Sequence, residues 1–308
     1  MYISYEALCW IKLEGKVSMT YKPEALCPQD LIQRSVYLGH KACRGNPKME
    51  PYIYKKHDGV HIIDLVKTRM LFDRALKAIY SIAEQGGRVL FVGTKPHARE
   101  LIKTYAQKCG QYYVDHRWTG GMLTNWKTVS ASIKRLKELD EKLASPEIVN
   151  YVKKEQLQLT RMRDGLERKL GGIKEMGALP DVVFVVDVVE ELIAVKEARK
   201  LRIPIVGIVD TNADPDGIDY IVPGNDDSIS AVELYCSRVC DAVLAGMQAE
   251  MEKSGKSLKS SRVGKPGLDD QLLTQLTERF KQADSEKNGT KIEENLQSLT
   301  KGSNSQTK

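Results

Sequence analysis

No apolar run in the chain approaches the roughly 20 residues needed to cross a bilayer, so a transmembrane role is not expected. The stretch from Met1 to Val17 lacks a continuous hydrophobic region and a small-residue cleavage site, which argues against a secretory signal. Its acidic residues, Glu6 and Glu14, argue against a transit peptide. Met19 is an alternative functional start, and residues 1–27 read as an N-terminal extension. Neither GxGxxG nor GxxxxGK[ST] occurs, which removes the usual phosphate-cradling loops. The six cysteines (Cys9, Cys27, Cys43, Cys109, Cys236, Cys240) contain no pair with the two-residue gap of a zinc knuckle or redox motif. Cys236 and Cys240, four apart, share one helical face and read as small core residues. Such scattered thiols suit a reducing cytosol. Nothing repeats internally.

Against these absences stands an ordinary globular composition, 42% hydrophobic and 29% charged over 308 residues, long enough for a large core. The net charge of +6 leans mildly towards an anionic partner. Apolar and β-branched runs at Arg88–Gly93, Val182–Val186, Ile203–Val209 and Tyr220–Val222 read as strands. Helices are expected over Leu65–Ala83, from Pro96 to Cys109 with Gly110 as C-cap, over Glu190–Lys200, and from Asp227-Ser228 to about Ala249. Continuous apolar strands alternating with helices predict an α/β fold: a Rossmann-like, mostly parallel sheet covered by helices. That domain spans 28–125 and 171–250.

Residues 126–170 interrupt it. Val129, Ile133, Leu136, Leu139 and Leu143 recur at three- and four-residue spacing, and Leu159, Met162, Leu166 and Leu170 repeat the pattern after Ser145-Pro146. Such a narrow seam predicts an inserted antiparallel helical hairpin of coiled-coil type. Beyond residue 250 a polar tail, 251–308, holds one expected helix, Leu268–Gln282, and an end expected to be disordered.

Five features could carry chemistry. In Val92-Gly93-Thr94-Lys95-Pro96, Lys95 could meet a phosphate, but Pro96 removes a backbone donor; a plain tight turn with Lys95 available to RNA is the better reading. Asp187 and Asp210, with Asp214, Asp216, Asp219, Asp226 and Asp227, fall near strand ends where open parallel sheets bind ligands. Turn and cap duty explains them more simply. Around Arg117, Trp118, Gly120-Gly121 and Asn125, RNA contact and a structural elbow are equally supported. Lys41, Arg44, Lys48, Lys55 and Lys56 alternate with Tyr52, Tyr54, Pro47 and Pro51, giving an expected extended basic segment suited to a polyanion. The hairpin, from Lys127 to Lys174, carries 12 Lys and Arg against 7 Asp and Glu. Its Lys127, Lys134, Arg135, Arg161, Arg163 and Lys169 are candidate phosphate contacts.

Several long runs resemble the bacterial type of the universal small-subunit ribosomal protein S-two family. They include Asn46–Ile53, Gly59–Leu65, Val89–Lys95, His116–Asn125, Leu170–Lys174 and Asp210–Asp227, in the family's order over roughly residues 28–248. Gln111–Val114 and Asn125–Lys127 are similar to alphaproteobacterial members. The resemblance implies a cytoplasmic, ribosome-bound scaffold without catalytic activity, cofactor, metal or small-molecule substrate. It implies contact with small-subunit ribosomal RNA and neighbouring small-subunit proteins, including the large mRNA-binding protein S-one. Gly45 stands where the family usually has a bulky aromatic, and Tyr37 where it usually has a histidine. Neither a stacking contact nor a metal role for histidines there is carried over. The rival enzyme reading is a nucleotide or sugar-phosphate enzyme using Lys95 and Asp210; a third is a pure protein adaptor.

Overall fold

The structure is a computed structural model that describes residues 26–146 and 151–253. The expected helix at Leu268–Gln282 and both terminal segments lie outside the described residues.

Five strands, β4 (Val89–Val92), β5 (Tyr112–Val114), β6 (Val182–Val186), β7 (Ile205–Val209) and β8 (Tyr220–Pro223), form a parallel sheet in the order β5-β4-β6-β7-β8. The three central strands are buried along their whole length, as their unbroken apolar runs require. Side chains alternate between the two faces. Val89, Phe91, Phe184 and Ile208 enter one core, while Leu90, Val92, Val183, Val185 and Val209 enter the other. Phe91 and Phe184, neighbours across β4 and β6, meet edge to face with ring centroids 5.5 Å apart.

The first core is closed by α2 (Leu65–Glu84) and α7 (Ile229–Lys253). Asp64 caps α2 by accepting from the Val66 and Lys67 amides. Gly246 lets the two helices approach closely, since a Cβ there would lie 2.6 Å from that of Ala83. Cys236 and Cys240 are buried in this core. Helix α3 (Pro96–Lys108) begins on its proline, as expected.

The sequence expectation omits the short helix α1 (Pro28–Gln33), the edge strand β5 and a second sheet. The edge strand β5 is only three residues long. A second, antiparallel sheet, β1 (Leu38–Lys41), β3 (Val60–Ile63) and β2 (Ile53–His57), precedes α2. Most of its side chains are exposed or half-buried, so no apolar pattern announces it. The basic stretch Lys41–Lys56 is therefore not uniformly extended. Pro47 opens a 3-10 helix over Pro47–Tyr52, Asn46 caps it by accepting from the Lys48 amide, and Met49 is buried. Prolines forbid a regular α-helix but tolerate a short 3-10 turn whose amides are satisfied at its start.

The second core receives the base of the interruption at 126–170. Helices α4 (Trp126–Ala144) and α5 (Lys153–Leu170) pack on each other through Ile133, Leu136 and Leu166, and Leu136 and Leu170 continue into the sheet's second face. Gly172 closes the return, because a Cβ there would collide with the Tyr113 carbonyl oxygen.

The entry to α4 is fixed by one carboxylate. Glu197, on α6 (Leu192–Leu201), is 8% exposed. It accepts from the Trp118 indole at 3.2 Å, the Gly121 amide at 2.6 Å, the Leu123 and Thr124 amides at 3.0 Å each, and the Thr124 hydroxyl at 3.1 Å. Gly121 itself takes a positive φ of 87°, which glycine adopts without strain. Burial alone would raise the Glu197 carboxyl, but the amides of Thr124, Gly121 and Leu123 and the indole hold it below the ordinary carboxylate range.

Two outcomes follow for stability. Phe184→Ala should lower unfolding free energy by about 3–5 kcal/mol, read from urea denaturation. Glu197→Gln should cost about 2–3 kcal/mol at neutral pH, because charge-assisted bonds are lost from buried donors. A carboxyl held below its unfolded value contributes fully above about pH 4.3 and loses that contribution as pH falls through its folded value. The gap between wild type and Glu197→Gln should therefore narrow in acid; a gap that widens would refute this assignment.

Candidate nucleic-acid interface

The sequence-selected cations separate into three environments. Lys127, Lys134, Arg135, Arg161 and Lys169 are exposed on α4 and α5, and Arg117 is exposed just before them. None of these six has an ion-pair partner among the described residues. On the helices this exposure follows from the period: Lys134 and Arg135 fall between the buried Ile133 and Leu136 on α4, and Arg161 and Lys169 lie away from Leu166 on α5. Some of the acids on and beside α4 and α5 are already paired. Lys174 pairs with Asp140, Lys137 with Glu175 at 3.1 Å, and Arg163 with Asp164 at 3.2 Å. The remaining surface is left predominantly positive. Arg163, half-buried, is the one hairpin candidate already engaged internally.

The elbow residues fall on the structural side of the alternatives. Trp118 is 5% exposed and packs in the second core while its indole N–H serves Glu197. Its ring has no free face to stack on a base. Asn125 is exposed at the start of α4 and its side chain accepts from the Thr128 hydroxyl.

Lys41 and Arg44 are exposed beside a cavity of about 390 Å³. Lys48 is exposed as well but already meets Asp214 at 2.8 Å and Asp216 at 2.5 Å. Pairs so open to solvent are weak and exchange readily for phosphate.

Lys95 lies elsewhere. Because β4, β6, β7 and β8 run parallel, their carboxyl ends share one edge. Lys95 follows β4, Asp187 follows β6, Asp210 follows β7, and Asp226 and Asp227 follow β8. Lys95 Nζ lies 2.8 Å from Asp187, 2.9 Å from Asp226 and 2.8 Å from Asp227. Burial would lower its pKa, yet Asp187, Asp227 and Asp226 together hold it well above the ordinary lysine value. It is a permanently charged internal counterion, not a phosphate contact on the surface. Asp226, almost fully enclosed, is pushed up to about 7 by burial and by the negative charges of Asp187 and Asp210.

A neighbour of this group was missed from sequence. His40, on β1, places Nδ1 2.9 Å from Asp210 and Nε2 3.4 Å from Asp227. The bond to Asp210 raises its pKa despite partial burial. The His40 amide donates to the Thr211 hydroxyl, and Gly39 makes room, since a Cβ there would lie 2.6 Å from Thr211 Cγ2. Only the register of the small antiparallel sheet against the large one brings His40 to Asp210, 170 residues away. The signal available was Gly39-His40 itself, a glycine preceding a histidine in a segment without apolar alternation.

Among the described residues, no helix is long and apolar enough to cross a membrane. A profile of the Ribosomal protein S2 family matches residues 31–246. Relatives named Small ribosomal subunit protein uS2 are similar over most of the chain. That of Granulibacter bethesdensis is 53% identical over 230 residues, covering 75% of this chain and 89% of the relative. The Rhodospirillum centenum protein is 52% identical over 230 residues, covering 75% and 88%. The one from Wolbachia pipientis wMel is 52% identical over 236 residues, covering 76% and 83%. The match encloses both sheets, the helical interruption and the elbow that joins them, and the chain belongs to the ribosomal protein S2 family.

Proposed function

We propose that the chain is a structural component of the small ribosomal subunit that grips its ribosomal RNA through α4 and α5, and performs no reaction of its own. The observation that carries this reading is the set of exposed cations Arg117, Lys127, Lys134, Arg135, Arg161 and Lys169, without internal ion-pair partners among the described residues, on an arm rooted in the second core. A rigid cationic arm neutralises backbone phosphates and releases their counterions, which sets affinity without reading sequence. Arg168, exposed beside Lys169, extends the same surface. Lys41, Arg44 and Lys48 form a second, smaller basic region on β1 and the 3-10 turn.

The relatives' names support membership of the small subunit, and family resemblance supports neighbouring small-subunit proteins, including the large mRNA-binding protein S-one, as further partners in the cytoplasm. Trp118 and Asn125 act here by fixing the direction of α4, and Lys95 and Arg163 by holding the protein together. The enzyme alternative loses its phosphate-binding lysine, because Lys95 is enclosed by three carboxylates.

Replacing Lys127, Lys134, Arg135, Arg161 and Lys169 together by alanine should weaken binding to small subunits stripped of this protein, measured by co-sedimentation. The dependence of log K on log salt should become shallower by about 0.7–0.9 for each phosphate no longer neutralised. Wild-type affinity and an unchanged slope would contradict the assignment.

A further inference from the structure

Where α5 returns to the edge strand β5 there is a cavity of about 270 Å³. Lys103 of α3, Tyr113 of β5, His116, and Glu167 and Arg168 of α5 line it. Pockets for drug-sized ligands run from about 300 to 1,000 Å³. This one is smaller and suits a single nucleobase with part of its ribose, not a stacked pair.

Two groups of its wall are unmet. Glu167 Oε2 is buried without a hydrogen-bond partner, and Lys174, already bonded to Asp140, stays 3.9 Å from it. The Glu167 carboxylate also belongs to the last turn of α5, where carbonyl oxygens disfavour negative charge. Gly171 leaves space for it, since a Cβ there would lie 2.8 Å from Glu167 Oε1. His116 Nδ1 is unmet as well: Asp115 is 3.1 Å away but outside hydrogen-bonding geometry. Unpartnered buried polar atoms are rare and call for a ligand or water. Asp164, another acid of the wall, is held by Arg163 at 3.2 Å. Lys103 and Arg168 have no ion-pair partner among the described residues.

We propose, on the strength of the RNA contact proposed for α4 and α5, that this cavity takes one unpaired guanosine of the RNA, its base turned out of the stack. On its Watson–Crick edge guanine alone offers two adjacent donors, N1–H and the N2 amino group, which one carboxylate accepts together. Glu167 is that carboxylate, and rotation about its last bond presents both oxygens. Adenine places an acceptor at N1 and sets a lone pair against the carboxylate. Tyr113, half-buried, gives the base an aromatic wall, while Lys103 and Arg168 serve the flanking phosphates. Arg168 belongs both to this wall and to the exposed cationic surface of α5, so a strand following that surface passes the mouth of the cavity. The arm supplies affinity, and the cavity supplies preference for a base.

The test uses the full chain and three fluorescein-labelled heptanucleotides, UUUGUUU, UUUAUUU and UUUUUUU, read by fluorescence anisotropy. The wild type should bind the guanosine oligomer about tenfold more tightly than the other two. Guanosine 5′-monophosphate should displace that oligomer, and adenosine 5′-monophosphate should not. Glu167→Gln, nearly isosteric and at a half-exposed position, should bring the three affinities together while leaving that for the all-uridine oligomer unchanged. Lys103→Ala should weaken the guanosine oligomer. The combined alanine replacement of the cations on α4 and α5 should weaken all three oligomers yet keep their order, so failure of the arm and failure of the cavity are read separately. Equal wild-type affinity for the three oligomers would overturn the proposal and leave salt-dependent binding by the arm standing. A guanosine preference intact in Glu167→Gln would overturn it as well.

Discussion

A single buried carboxylate governs where the cationic arm points. Glu197 gathers three backbone amides, an indole and a hydroxyl from residues 118–124, so the loop before α4 closes around it as a loop closes around a bound anion. The Trp118 indole and the Leu123 amide would otherwise be buried and unmet, which ties the loop conformation to folding. Because α6 is packed on the second face of the sheet through Ala194, Val195 and Ala198, the loop inherits the sheet's rigidity. The arm's exit direction is thus set by the core, and the proposed RNA contact gains a fixed geometry without any loss of mobility at the moment of binding.

A second constraint comes from parallel pairing. Parallel strands put all their carboxyl ends on one edge, and here that edge receives four aspartates, one lysine and, from the small sheet, one histidine. In enzymes of this architecture such an edge is where substrates bind. Here Lys95 sits among the acids and the small antiparallel sheet lies alongside, with the Asn46 amide bonded to the Thr211 carbonyl. The edge therefore acts as a junction between two sheets, while α4 and α5 carry exposed, unpaired positive charge of their own.

Much of this was legible in the sequence where a period of apolar residues exists. The runs at 89–92, 182–186 and 205–209 are strands because nothing polar interrupts them, and the three-and-four spacing from Val129 to Leu143 is visible because α4 buries one stripe. The antiparallel sheet escaped because its residues are half-exposed, and β5 because three residues carry no period. The site was harder. Lys95 and the acids were each visible, but their neutralising one another depends on strand order, which residue patterns do not encode. Trp118 looked available beside Arg117 and a double glycine; only the distant Glu197 explains why it turns inward.

Protein–RNA cross-linking in reconstituted small subunits tests the central claim most directly. Ultraviolet cross-links mapped by mass spectrometry should concentrate in peptides covering 126–146 and 153–170, with Lys95 and Trp118 free of adducts. Cross-links confined to the carboxyl edge of the sheet, with none on α4 or α5, would contradict it.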